Sequence, residues 1–166
     1  TFRNVRYNKM HYRIKNYPLP EVVSSYEITR QTVWRCADEY NIIVFILEGT
    51  CSFTITNKTY KLSAGDVIFI PNGEEYIRRP VENSSCRFAY IHFKTTSPIE
   101  KISEDDFNNA LSKLEKGNYN KQTEISEILL PQIINITNDF DRLTDVLKDI
   151  YKNNIQGNAI GRFLSD

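Results

Sequence analysis

Cysteine, histidine and glycine are scarce in these 166 residues, at three, two and six copies. Cys36, Cys51 and Cys86 are odd in number, far apart and form no Cys-x-x-Cys pair. That excludes a complete disulfide frame and a zinc knuckle, fits a reducing compartment, and leaves small core residues as the plain expectation. A catalytic metal needs three or more converging N, O or S ligands, and only His11 and His92 are available, so no metal or other cofactor is expected. No apolar run approaches the roughly 18 residues of a membrane span, and no apolar stretch behind basic residues marks a signal peptide. A soluble, cytoplasmic protein without membrane contact is expected. An excess of charge of one sign is also missing: Lys and Arg total 21 against 21 Asp and Glu, so no global field draws in a phosphate backbone. A stand-alone DNA-binding module is thereby disfavoured. The chain contains no Gly-x-Ser-x-Gly elbow, phosphate loop or Gly-x-Gly-x-x-Gly turn, and neither histidine sits in a context typical of a Ser or Cys triad.

What is present falls into two parts with different periods. Up to Phe93 the chain is rich in Val, Ile, Thr, Tyr and Phe, broken by turn residues at intervals that fit an antiparallel sandwich or barrel. Strands are expected at Met10 to Lys15, Val22 to Arg30, Gln31 to Cys36, Ile42 to Glu48, Cys51 to Thr56, Lys58 to Leu62, Asp66 to Pro71, Glu75 to Arg79 and Cys86 to Lys94. Ile42 to Leu47 is apolar on both faces, as in a strand at the centre of a filled barrel. Cys51-Ser-Phe-Thr-Ile-Thr56 alternates, so that only one of its faces is buried.

After Thr96 the pattern turns helical. Ser103 followed by Glu104, Asp105 and Asp106 opens a helix whose stripe is Phe107, Ala110, Leu111 and Leu114 and whose stop is Gly117. From Glu124 to Thr137 the β-branched residues around Pro131 favour an extended edge segment. From Asn138 the stripe Phe140, Leu143, Val146, Leu147, Ile150 and Tyr151 marks a helix ending near Asn153-Asn154. Ile155, Ala159, Ile160, Phe163 and Leu164 begin another apolar face with no cap before Ser165-Asp166, as expected of a longer protein cut within a helix. The expected organisation is a β-barrel over 1–97 and a helical extension over 98–166.

The most informative stretch is Gly65-Asp-Val-Ile-Phe-Ile-Pro71-Asn-Gly73-Glu-Glu-Tyr76: a glycine turn, a buried strand, a proline-glycine bend and a returning strand. It resembles the second cupin signature. Ile43-Val-Phe-Ile-Leu-Glu48-Gly49 resembles the end of the first, and Tyr90-Ile-His92-Phe93 resembles the aromatic closing strand of the sensor domains of AraC-family transcription regulators. The resemblance covers Trp34 to Lys94 best. It implies a mainly β, cupin-like jelly-roll barrel followed by helices, which binds a small-molecule effector, pairs as a homodimer, and contacts DNA only through a C-terminal domain that this stretch lacks.

The departures from the pattern decide the chemistry. Metal cupins carry a histidine where this chain has Tyr76, a glutamate where it has Ile42, and paired histidines near Arg35 to Asp38, where it has none. A metal-free, non-catalytic barrel follows. If the parity of the signature holds, Tyr76 and Arg78 point inward on one strand, and Ile42, Val44 and Ile46 on another. By the resemblance, the candidate effector pocket is Trp34, Arg35, Tyr76, Arg78, Phe88, Tyr90 and His92. Several have a plain alternative: Trp34, Phe88 and Tyr90 as core, Arg78-Arg79 as a solvated rim pair, His92 as a structural histidine. An inward arginine would suit an acidic or hydroxyl-rich ligand, and the expected effector is a small polar molecule such as a sugar. Two other functions stay open, a cupin-type sugar isomerase or epimerase with His92 as its base, and a ligand-free dimerisation module with a filled barrel.

Overall fold

A computed structural model describes residues 10–15, 20–81, 85–115 and 127–149. In chain order the strands are β1 (His11–Lys15), β2 (Glu21–Arg30), β3 (Trp34–Ala37), β4 (Asn41–Glu48), β5 (Thr50–Ile55), β6 (Lys58–Ser63), β7 (Asp66–Ile70), β8 (Glu75–Pro80), β9 (Cys86–Lys94), β10 (Glu100–Ile102), β11 (Glu127–Pro131) and β12 (Ile133–Asn135). Helix α1 (Glu104–Glu115) separates β10 from β11, and a 3-10 turn at Thr137–Asp139 leads into α2, described over residues 140–149.

The chain does not divide once near residue 97. Its contacts form two units of two segments each, Thr1–Glu21 with Lys94–Ile133, and Val22–Phe93 with Ile134–Asp166. The reason is strand pairing: β1 is the middle strand of an antiparallel trio, with β10 on one side and β11 on the other, so the first strand belongs with the later segment. Arg13 on β1 reaches Glu100 and Glu127 across both seams, at 3.4 Å each. In the same unit α1 begins as its sequence requires. Ser103 Oγ accepts from the Asp106 N–H at 3.0 Å and donates to the Asp106 carboxylate at 2.8 Å, with acids filling the first turn.

In the second unit two sheets face each other, a five-stranded one in the order β12-β7-β4-β9-β2 and a four-stranded one in the order β3-β8-β5-β6. Strand alternation sorts their residues. Ile42, Val44 and Ile46 of β4, paired with His92, Tyr90 and Phe88 of β9 and flanked by Ile68 and Ile70 of β7, turn one buried row inward. Cys51, Phe53 and Ile55 of β5, Tyr60 and Leu62 of β6, and Tyr76 and Arg78 of β8 supply the facing row. The opposite parity of the first sheet is covered separately: Leu47, Ala89 and Ile91 pack with Leu147 of α2, and Phe45 and Phe140 flank them half-buried. This is the expected mainly β barrel with helices after it.

Local details adjust the expected boundaries. β3 starts at Trp34 rather than Gln31, because residues 31–33 form an exposed link from β2. The tight turn between β5 and β6 is centred on Thr56 and Asn57, both with positive φ (45° and 65°), so Thr56 belongs to the turn and not to the strand expected to end on it; this is the type I′ geometry that matches strand twist. At Gly49 (φ +79°) a Cβ would lie 2.3 Å from the Ser85 carbonyl oxygen, so only glycine fits between the two chain segments. The short β10 had no counterpart in the sequence pattern. The stop at Gly117, the end of α2 near residues 153–154 and the apolar face from Ile155 to Leu164 lie outside the described residues.

Candidate functional site

The site grows from the returning strand of the glycine-proline-glycine stretch. Gly65 turns the chain into β7, and the bend after Pro71 is pinned by two bonds, Gly73 N–H to the Asp38 carbonyl at 2.6 Å and Asn72 N–H to the buried Asn41 side chain at 3.0 Å. The bend therefore sets two things at once: the register of β8, and the position of the 38–41 turn, in which the Tyr40 N–H also donates to the Asp38 carboxylate at 3.2 Å.

On β8, Tyr76 and Arg78 are 3% and 5% exposed. Arg78 Nη1 donates to the Tyr90 hydroxyl at 2.7 Å, its guanidinium carbon lies 4.7 Å from the centre of the Phe88 ring, and Nη2 is 3.5 Å from the Thr32 carbonyl. Among the described residues no carboxylate pairs with it. Arg79 instead faces outward beside Thr54, so the two arginines are not a solvated pair.

On β9, two residues beyond Tyr90, His92 places Nε2 3.3 Å from the Asp38 carboxylate and Nδ1 3.2 Å from the Ser24 hydroxyl of β2. The imidazole thus does have an acidic partner, supplied by a turn far away in sequence. Tyr26 of β2 stacks over both neighbours, 5.2 Å from the Tyr90 ring and 5.6 Å from His92, while Tyr40 meets His92 edge-on. Deeper in, Phe53 stacks on Tyr76 at 5.9 Å. Burial pushes the Tyr90 phenol up to about 12, against the opposing pull of the Arg78 guanidinium. Burial likewise raises Tyr76 and, with the Asp38 carboxylate adding to it, Tyr26. All three phenols are neutral at physiological pH, a state in which a hydroxyl can donate as well as accept a hydrogen bond.

Of the residues expected at a pocket, Tyr76, Arg78, Phe88, Tyr90 and His92 come together between the sheets. Trp34 lies opposite Arg78 in the β3–β8 register but is 53% exposed, at the rim. Arg35 does not join them: successive strand residues face opposite ways, and its side chain turns outward to an exposed ion pair with Glu75. Ser24, Tyr26, Asp38 and Tyr40 belong to the cluster and were not expected there. Asp38 lies at the edge of the stretch where metal cupins carry paired histidines, which was the one signal pointing to it.

A metal does not fit these residues. The positions of cupin ligands hold the phenol Tyr76 and the fully buried aliphatic Ile42, and among the described residues no three His, Cys, Asp or Glu side chains are grouped to hold an ion. What the arrangement offers is a guanidinium at one end, a carboxylate-imidazole-hydroxyl chain at the other, and aromatic faces between them.

Comparison with known proteins is consistent in kind. The AraC-like ligand binding domain family matches residues 20–146. No curated protein sequence matches. Similar solved structures include a putative ethanolamine utilization protein Q from Salmonella typhimurium LT2, at 25% identity over 43% of this chain and 58% of that one, with a TM-score of 0.39. The cupin_2 domain of an XRE family transcriptional regulator from Enterobacter cloacae is 9% identical over 45% of this chain and 93% of that one, with a TM-score of 0.38. A cupin-2 domain protein from Shewanella frigidimarina NCIMB 400 is 16% identical over 50% and 79%, with a TM-score of 0.37. The chain therefore spans less than two thirds of the Salmonella protein. No helix among the described residues is long and apolar enough to cross a membrane. With a family match that runs from Pro20, ahead of β2, to Val146 in α2, and so over well more than half its length, the chain belongs to the AraC-like ligand-binding domains.

Proposed function

We propose that this domain is the effector sensor of a transcription regulator: a small polar molecule binds between the two sheets, without metal and without being transformed, and its binding biases a DNA-binding domain elsewhere in the same protein. The observation that carries this reading is the convergence of Arg78, Tyr90, His92, Asp38 and Tyr26 from four elements onto one place in a barrel otherwise filled with aliphatic and aromatic side chains. Polar groups gathered in an apolar interior orient a ligand. The regulator works as a homodimer in the cytoplasm, and α2, whose Val146 is 48% exposed beside the buried Leu147, supports the placing of the dimer contact on this helix. With zero net charge the domain itself contributes no DNA affinity. Isothermal titration with small polar metabolites tests the reading. One molecule per chain, lost in Tyr26→Ala and Asp38→Ala, is expected; a barrel that binds nothing in native mass spectra or titration refutes it in favour of a filled dimerisation module.

One contact favours a second reading. The Asp38 carboxylate against His92 is the arrangement by which an enzyme orients a general base, as in a sugar isomerase or epimerase. Both imidazole nitrogens are engaged, however, which leaves neither facing a substrate. Exchange of a sugar C–H proton with D2O, followed by NMR and abolished in His92→Ala, would establish the enzyme and overturn the sensor.

A further inference from the structure

We infer that the effector is a small monocarboxylate whose acid group is held by Arg78, a step that rests on the sensor reading above and narrows it to one chemical class. A guanidinium is costly to take out of water unless a negative charge or several acceptors replace the hydration. Arg78 is 5% exposed, yet it meets a neutral phenol, the face of a phenyl ring and a main-chain carbonyl at the limit of bonding distance. Arginine presents five N–H donors in a flat fork that fits a carboxylate with two parallel bonds, and Tyr90 and Thr32 accept from only two of its nitrogens.

Every other arginine for which an ion pair is described meets a glutamate: Arg13 with Glu100 and Glu127, Arg35 with Glu75, Arg87 with Glu27 and Glu48. The buried one is the exception. Its Nη2 points to Thr32, in the exposed link between β2 and β3, so the guanidinium lies close to the surface of the barrel.

Two further features set the charge of that ligand at one. Among the described residues Arg78 is the one buried lysine or arginine, and the Asp38 carboxylate, 3.3 Å from His92 Nε2, lies at the other end of the cluster; burial first, with that carboxylate adding to it, raises the pKa of Tyr26 and Tyr76. A second acid group or a phosphate dianion would meet that carboxylate with no second buried lysine or arginine among the described residues to balance it. The Asp38 carboxylate, held by His92, instead suits a hydroxyl, and the stacked rings of Tyr26 and Tyr90 suit a flat or apolar body.

The test uses acids with neutral counterparts of the same shape: lactate with propane-1,2-diol, glucuronate with glucose, benzoate with benzyl alcohol, and glucose 6-phosphate as the dianion. Affinities are measured by NMR titration of the wild-type protein and of Arg78→Gln and Arg78→Lys. At least one acid is expected to bind tenfold or more tighter than its counterpart, to lose that preference in Arg78→Gln and to keep part of it in Arg78→Lys. In the wild type the Arg78 Nε–H resonance is expected to shift with the acid and not with its counterpart, a readout that needs no variant to fold. Equal binding of the neutral partners, an unmoved Arg78 resonance, or tightest binding of the phosphate overturns the inference and leaves the sensor standing. Failure of every probe to bind overturns both.

Discussion

The contact between Arg78 and Tyr90 can be weighed by removing each partner in turn from the ligand-free domain. Both side chains are at least 95% buried, and they meet at 2.7 Å. Tyr90→Phe keeps the ring and its stacking against Tyr26 but deletes the acceptor, leaving a charged donor dry. Hydrogen bonds to charged groups contribute about 1.5–3 kcal/mol, so a loss of about 2 kcal/mol is expected. For a chain of this size that lowers the melting temperature by roughly 4–8 °C. Arg78→Met removes the charge and fills most of its volume with an apolar chain, so its cost is expected to be near zero or negative. In the Arg78→Met background the Tyr90 hydroxyl is the group left dry, and Tyr90→Phe is then expected to be neutral or stabilising. The change of sign is the signature, with a coupling of about 2 kcal/mol between the two sites. Urea unfolding followed by the fluorescence of the lone tryptophan, Trp34, which lies opposite Arg78 on β3, reports on this unit. A Tyr90→Phe penalty below about 0.5 kcal/mol, or the same penalty in both backgrounds, would show that the guanidinium is solvated and remove the basis for assigning it a ligand.

Other consequences can be measured in the same way. Gly49→Ala is expected to cost about 2 kcal/mol or more, because a positive φ and a carbonyl oxygen 2.3 Å from the new Cβ act together; an unchanged urea midpoint would contradict it. Leu147→Ala should lose about 2–3 kcal/mol, the low end for a buried leucine because its flanks are half-buried, while Val146→Ala should stay within about 0.5 kcal/mol; equal effects would mean that α2 packs on another face. Because Tyr90 and Tyr76 hold their protons above the value of about 10 found in an unfolded chain, the folded state binds more protons than the unfolded one through the window from about 10 to 12. Stability from these groups is therefore complete below pH 10 and declines as pH rises towards 12, and tyrosinate absorbance should show part of the ten tyrosines titrating only on unfolding. Titration of all ten at ordinary values with the fold intact would refute the burial of these phenols.

Much of the barrel was legible because its strands alternate. Cys51, Phe53 and Ile55 were separable from Ser52, Thr54 and Thr56 by parity alone, and β4 was recognisable from being apolar on both faces. The resemblance misplaced a residue that parity alone would have separated. Trp34 and Arg35 were expected together, yet neighbours on a strand cannot face the same way, and the charged one faces water. β10 escaped notice because Glu100-Lys101-Ile102 has too few residues to show a period; its pairing with β1 is decided by a partner nearly ninety positions away. The site divided along similar lines. Tyr76, Arg78, Tyr90 and His92 follow from a motif and a closing strand, whereas Asp38 reaches His92 only because a proline-glycine bend holds its turn in place, a tertiary fact that no local spacing encodes.

β9 carries Tyr90 and His92 towards the polar cluster and Ala89 and Ile91 towards Leu147 of α2. A strand is one residue thick, and alternate side chains share a single backbone. There is no intervening layer in which a displacement can be absorbed: if a molecule held by Arg78 re-seats Tyr90, the peptide that moves with it also carries Ala89 and Ile91, and the bed beneath the helix shifts by the same amount. The inner wall of the barrel and the seat of the helix are two sides of one ribbon.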